Sequence, residues 1–143
     1  MLALLTALVS TCFMTGLVWF CQIVQYPLLG VVGAAPQLDY HRQHMIRTLP
    51  LVTIPMVLEG ASGVALLAGA APTASRGLAW LAFALSLVIW GSTLIYQAPQ
   101  HFSLVRHFTP EVHAELVRCN WIRTIAWSAR LLIIVWMLRS VLR

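Results

Sequence analysis

Four long apolar stretches make up most of the chain, roughly residues 2–25, 48–70, 78–98 and 121–143, and short polar or Gly/Pro-marked breaks separate them. Within each stretch the apolar residues run on without alternating with polar ones. About 20 such residues cross a bilayer as a helix, whereas a membrane strand needs period-two alternation, which is missing here. The pattern therefore predicts an all-α integral membrane four-helix bundle, a single four-span transmembrane domain covering residues 1–143. Spans two and four are expected to extend beyond the bilayer on one face.

Boundaries follow from the punctuation. Span one should run from Leu2 to Gln25 and end at Tyr26-Pro27. A cleaved signal peptide is the competing reading, but it would need a basic start, a shorter apolar run and an A-x-A site. Leu28 to Ala35 reads as a connection, and Pro36 suits the first turn of a second helix. That helix carries Asp39 to Arg47 outside the hydrocarbon, enters it near Thr48, and should bend at Pro50 and Pro55. Ala61, Ala65 and Gly69 offer a small-residue stripe for close helix approach. APTASRG, with Pro72, Arg76 and Gly77, reads as a turn. Span three is expected from Leu78 to Ala98, stopping at Pro99, followed by the longest loop, Gln100 to Asn120. Inside it Thr109-Pro110-Glu111 has the order of an N-cap, a proline at N1 and a first-turn acid. The helix starting there should run through Trp121 into span four and end near Arg143.

Composition agrees with this layout: 60% of the 143 residues are hydrophobic and only 9% charged, with a mean hydropathy of +0.84. A net charge of +5 raises the question of nucleic acid. All nine basic residues are arginines scattered along the chain, with no basic stripe or nucleic-acid motif, so lipid headgroups and acids inside the bundle are the expected counter-charges. Cys12, Cys21 and Cys119 form no CxxC and are read as small apolar packing groups.

Polar residues inside the spans carry the candidate chemistry. Tyr40 to Glu59 takes two histidines and a carboxylate into an apolar segment. At 100° per residue, His41, Thr48, Val52, Pro55 and Glu59 share a stripe with His44 beside it. In span four, Asn120, Arg123, Trp127 and Arg130 recur at i, i+3, i+7 and i+10. Glu59 and Arg130 come out at similar depths, roughly 16 and 14 Å from one face. A lone mid-bilayer charge costs on the order of 2.5 to 3.5 kcal/mol, so the two are expected to pair, either as a purely structural tie or as a wall of a substrate cavity. Trp19, Gln22 and Tyr26 share a face that anchors at the interface or contributes to a polar site, and Gln97 closes span three.

All five histidines, His41, His44, His101, His107 and His113, fall on one membrane face. His41, His44 and His101 are expected to converge, with His107 and His113 peripheral. Three imidazoles make a metal site conceivable, and a haem would need two of them facing each other. No HExxH motif, nucleophile motif or phosphate loop is present. Loop arginines are nearly balanced between the two faces. The absence of a basic residue before span one favours a cytoplasmic histidine face, in what is expected to be a bacterial inner membrane.

The Tyr-Pro closing span one, the polar helix leading into span two, WGSTLIYQAP at Trp90 to Pro99 with Leu104 after it, and NWIRTIAWSAR at Asn120 to Arg130 together resemble the small four-span membrane proteins grouped with anthrone oxygenases. The resemblance is one of layout and covers nearly the whole chain. It implies a four-span α-helical bundle and, for some members, O₂-dependent oxidation of a hydrophobic aromatic polyketide. Three functional expectations stand side by side. In the first, a membrane oxidoreductase, Glu59, His41 or His44 is the base, Arg123 or Arg130 stabilises an oxyanion, and Gln22, Tyr26, Gln97, Asn120 and Trp127 bind a hydrophobic aromatic. The second is a metal or haem protein ligated by His41, His44 and His101. The third is a non-catalytic subunit or assembly factor working with other membrane subunits. The sequence names no cofactor.

Overall fold

The computed structural model describes residues 1–32, 36–70 and 76–142. Four helices, each long and apolar enough to cross a membrane, account for nearly all of them: α1 Leu2–Leu29, α2 Gln37–Leu67, α3 Arg76–Arg106 and α4 Pro110–Val141. Among the described residues there is no strand. Each helix packs on its neighbours in the chain, and α1 also packs on α4, which closes an up-down-up-down ring. At about 1.5 Å per residue every helix exceeds the roughly 30 Å of hydrocarbon. Val9, Ile54, Leu87 and Trp136 lie exposed on the outer surface, where an apolar side chain belongs if its solvent is lipid.

Three apolar layers fill the bundle. Leu4, Ala7, Leu66, Ala79, Ile134 and Met137 pack at the end holding the amino terminus. The middle layer contains Met14, Val18, Met56, Ile89, Ala126 and Trp127. Tyr26, Leu29, Leu104 and Leu116 form the layer at the histidine end.

Two expected helix ends are not ends. α1 continues past Pro27 to Leu29, and α3 continues past Pro99 to Arg106. Each passes its proline through a π-turn at the same offset, Cys21–Gln25 before Pro27 and Thr93–Gln97 before Pro99. Proline lacks an N–H and crowds the preceding turn. One inserted residue lets Tyr26 bond Cys21 O and Ala98 bond Thr93 O, and the helix survives. The expected long loop after Pro99 therefore shrinks to His107, Phe108 and Thr109. α2 also runs unbroken through Pro50 and Pro55.

Other boundaries hold, with corrections of detail. Thr109, Pro110 and Glu111 do open α4, although the Thr109 hydroxyl makes no capping bond. α2 ends in a Schellman motif, Ala70 N–H to Ala65 O and Gly69 N–H to Leu66 O, with Gly69 at φ 91°, where a Cβ would be strained. Gly69 is thus a stop signal, not part of a packing stripe, and Ala61 is exposed. The small buried face lies one and two residues further on, at Ser62 and Gly63, where a Cβ on Gly63 would stand 3.0 Å from Phe83. Pro72 lies outside the described residues, while Arg76 and Gly77 belong to α3 and not to a turn.

Candidate functional site

Mid-bundle, the two expected charges meet. Arg130 Nη1 lies 3.1 Å from Glu59 Oε1, and both residues are almost fully buried. Trp127 donates its indole N–H to Glu59 Oε2 at 2.9 Å, Arg130 Nε donates to Ala82 O at 3.2 Å, and Arg130 also donates to the Thr11 hydroxyl. The network joins Thr11 on α1, Glu59 on α2, Ala82 on α3, and Trp127 and Arg130 on α4. Every helix contributes, so a buried charge that would be costly alone becomes a tie across the bundle.

Nearer the histidine end, α2 and α3 bring three imidazoles together. The ring centroids of His41, His44 and His101 are 5.1 to 6.0 Å apart. Both nitrogens of His101 are engaged, Nδ1 with His41 Nε2 at 3.1 Å and Nε2 with the Tyr26 hydroxyl at 3.2 Å. His44 Nδ1 is 3.4 Å from Gln25 Nε2 and from the Thr48 hydroxyl. The continuation of α3 past Pro99 is what places His101 here, on a rigid helix.

This cluster borders a cleft of about 140 Å³ between α2 and α3, lined by Tyr26, His44, Thr48, Gln97, His101 and Arg123 together with apolar side chains. Of the neighbouring helix pairs, α2 and α3 meet least closely, and Leu49 and Phe102 at the cleft are well exposed. The cleft therefore faces the lipid side. Arg123 is 6% exposed, and among the described residues no carboxylate stands within ion-pair distance of it. Its Nε has no partner, and its guanidinium lies 5.1 Å from the Trp127 ring centre, a cation–π contact. Behind it Tyr26, Asn120 and Arg123 border a void of about 20 Å³, room for one water.

The other sequence-chosen residues divide as follows. Tyr26, Gln97, Arg123, His44 and His101 line the cleft, whereas Glu59, Arg130, His41, Gln22, Asn120 and Trp127 do not. Gln22 and Asn120 bond each other at 2.9 Å and tie α1 to α4; Trp127 serves Glu59. Trp19 sits half-exposed at the edge, bonded to Ser128 and packed on Trp121. His107 is exposed, as expected. His113 is not merely peripheral: its Nε2 is 2.7 Å from Tyr26 O, and its ring abuts Gly30 so closely that a Cβ there would come within 2.8 Å. Residues that sequence reasoning missed include Met45, Leu49 and Phe102 of the cleft wall and Thr11 beneath Arg130. Thr11 had a signal, a hydroxyl deep in an apolar span, but the apolar wall residues had none.

As arranged, no group of three or more His, Cys, Asp or Glu side chains among the described residues is set to hold a metal ion. His41 and His101 face each other directly, which leaves no gap for a haem between them. What the arrangement provides is an apolar cleft with imidazoles for proton transfer and one unneutralised guanidinium. Comparison with known families, curated proteins and solved structures gives no match.

Proposed function

We propose that the protein is a membrane oxidoreductase that takes a hydrophobic aromatic bearing an ionisable oxygen, of the anthrone type, from the bilayer into the α2–α3 cleft. The observation that carries this reading is Arg123, a nearly buried guanidinium without a carboxylate, on the same wall as His44 and His101. A buried unpaired charge is costly and calls for an anionic partner from a ligand. The layout shared with anthrone oxygenases supports the same substrate class. A cavity of about 150 Å³ holds one benzene ring. One ring of a fused aromatic would therefore be enclosed, with the rest lying in the seam beside Leu49 and Phe102.

In this mechanism a cleft histidine takes the proton from the anthrone methylene. The negative charge then moves onto the carbonyl oxygen, against Arg123. Reaction of that carbanion with O₂ converts the CH₂ to C=O, one oxygen atom being retained and the other leaving as water. Glu59 and Arg130, occupied with each other, take no part in it.

Detergent-purified protein mixed with an anthrone in air should form the quinone faster than the micelle blank, followed by absorbance. Arg123→Met should lower kcat/KM at least tenfold, since losing a hydrogen bond to a charged group costs about 1.5 to 3 kcal/mol. No rate above the blank, or an unimpaired Arg123→Met protein, would overturn the proposal. Bound metal or a haem spectrum in the purified protein would point to the histidine-ligated alternative, and a stable larger complex after mild extraction to the subunit or assembly role.

A further inference from the structure

We infer that His41 is a positioning residue for His101, the inner end of a hydrogen-bonded chain Tyr26–His101–His41 that sets which nitrogen of His101 carries the proton. The catalytic consequence rests on the function proposed above; the chain itself rests on geometry alone. His41 is fully buried and does not line the cleft, so it does not touch a ligand there. Its Nε2 is 3.1 Å from His101 Nδ1, and its own Nδ1 has no partner.

A packing role alone explains this poorly. Leucine would fill similar space without leaving a buried nitrogen unpartnered. A neutral imidazole has one N–H and one acceptor nitrogen, so a contact between two imidazole nitrogens requires a proton on one of them. If His101 Nδ1–H donates to His41 Nε2, the hydrogen of His41 sits on its own buried Nδ1, and His101 Nε2 is an acceptor toward Tyr26 and the cleft. If His41 donates instead, Nε2 carries the hydrogen and offers no lone pair. Only the first arrangement makes His101 a base facing the cleft. It also gives the His101 cation an acceptor for each proton, His41 on one side and the Tyr26 oxygen on the other. A base oriented by a third group that never meets substrate is the general logic of catalytic triads.

The experiment is ¹⁵N NMR of histidine-labelled protein in micelles. The wild type should show His101 protonated at Nδ1 and free at Nε2. His41→Leu should redistribute that tautomer, and His41→Gln, which keeps an acceptor, should preserve it. Should His41→Leu fail to fold, His41→Phe serves the same purpose. An unchanged His101 tautomer in the apolar variant would overturn the inference, as would metal ligation of both imidazoles in the wild type, because those nitrogens could not then share a proton. With an anthrone, kcat should fall at least tenfold in His41→Leu at unchanged KM and recover in part in His41→Gln. A wild type that oxidises no anthrone would end the proposed function while the NMR result still decided the chain. A His41→Leu protein with wild-type kcat would remove the positioning role while leaving the function standing.

Discussion

Arg123 and Arg130 sit seven residues apart on one face of α4, both nearly buried, with Trp127 between them, yet the bundle treats them in opposite ways. Arg130 is closed in by Glu59, Thr11 and the Ala82 carbonyl. Arg123 has the face of Trp127 beside it and an apolar cleft in front. Trp127 serves both, its N–H turned to Glu59 and its ring to Arg123. Burial of a charge is therefore no guide to its surroundings: one guanidinium is saturated by partners from the other three helices, while the other is left facing an open cleft.

The comparison breaks most readily at the closed site. Glu59→Gln or Arg130→Met alone should cost about 3 to 5 kcal/mol, because each strands its partner, and the double variant should recover much of that loss. Melting of the four proteins in detergent checks it; additive losses would mean that the pair is not coupled. Arg123→Met should behave differently. The lost stacking, about 0.5 to 2 kcal/mol, is offset by removal of an unpaired buried charge, so the melting temperature should stay near that of the wild type. A fall like that of Arg130→Met would erase the distinction. The smallest effect is expected at Arg118, whose contact with Glu115 lies at the exposed surface. Arg118→Ala should leave the melting temperature indistinguishable from that of the wild type in the same melts, because solvent screens an exposed pair.

Much of this was legible in the residues. Apolar run length determined the four helices, because the cost of unsatisfied backbone in lipid leaves few alternatives. Charge scarcity and helical spacing determined the Glu59–Arg130 pair, since two isolated mid-span charges at equal depth have only each other. Convergence of His41, His44 and His101 followed from connectivity, which puts both of their helix ends on one face.

Three-dimensional packing decided the rest. Whether Pro27 and Pro99 end a helix depends on whether the chain can insert a π-turn beneath them, and that turn is stabilised by the neighbours it packs against. Without it His101 would stand on a loop. Which polar residues face one another, Gln22 with Asn120 or His41 with His101, depends on the rotation of each helix, and interhelical contacts set it. The division between Arg123 and Arg130 is of the same kind. Sequence made both arginines buried, but only the fit of α2 against α3 left a cleft before one of them, because the shape of a gap belongs to the two surfaces that fail to meet.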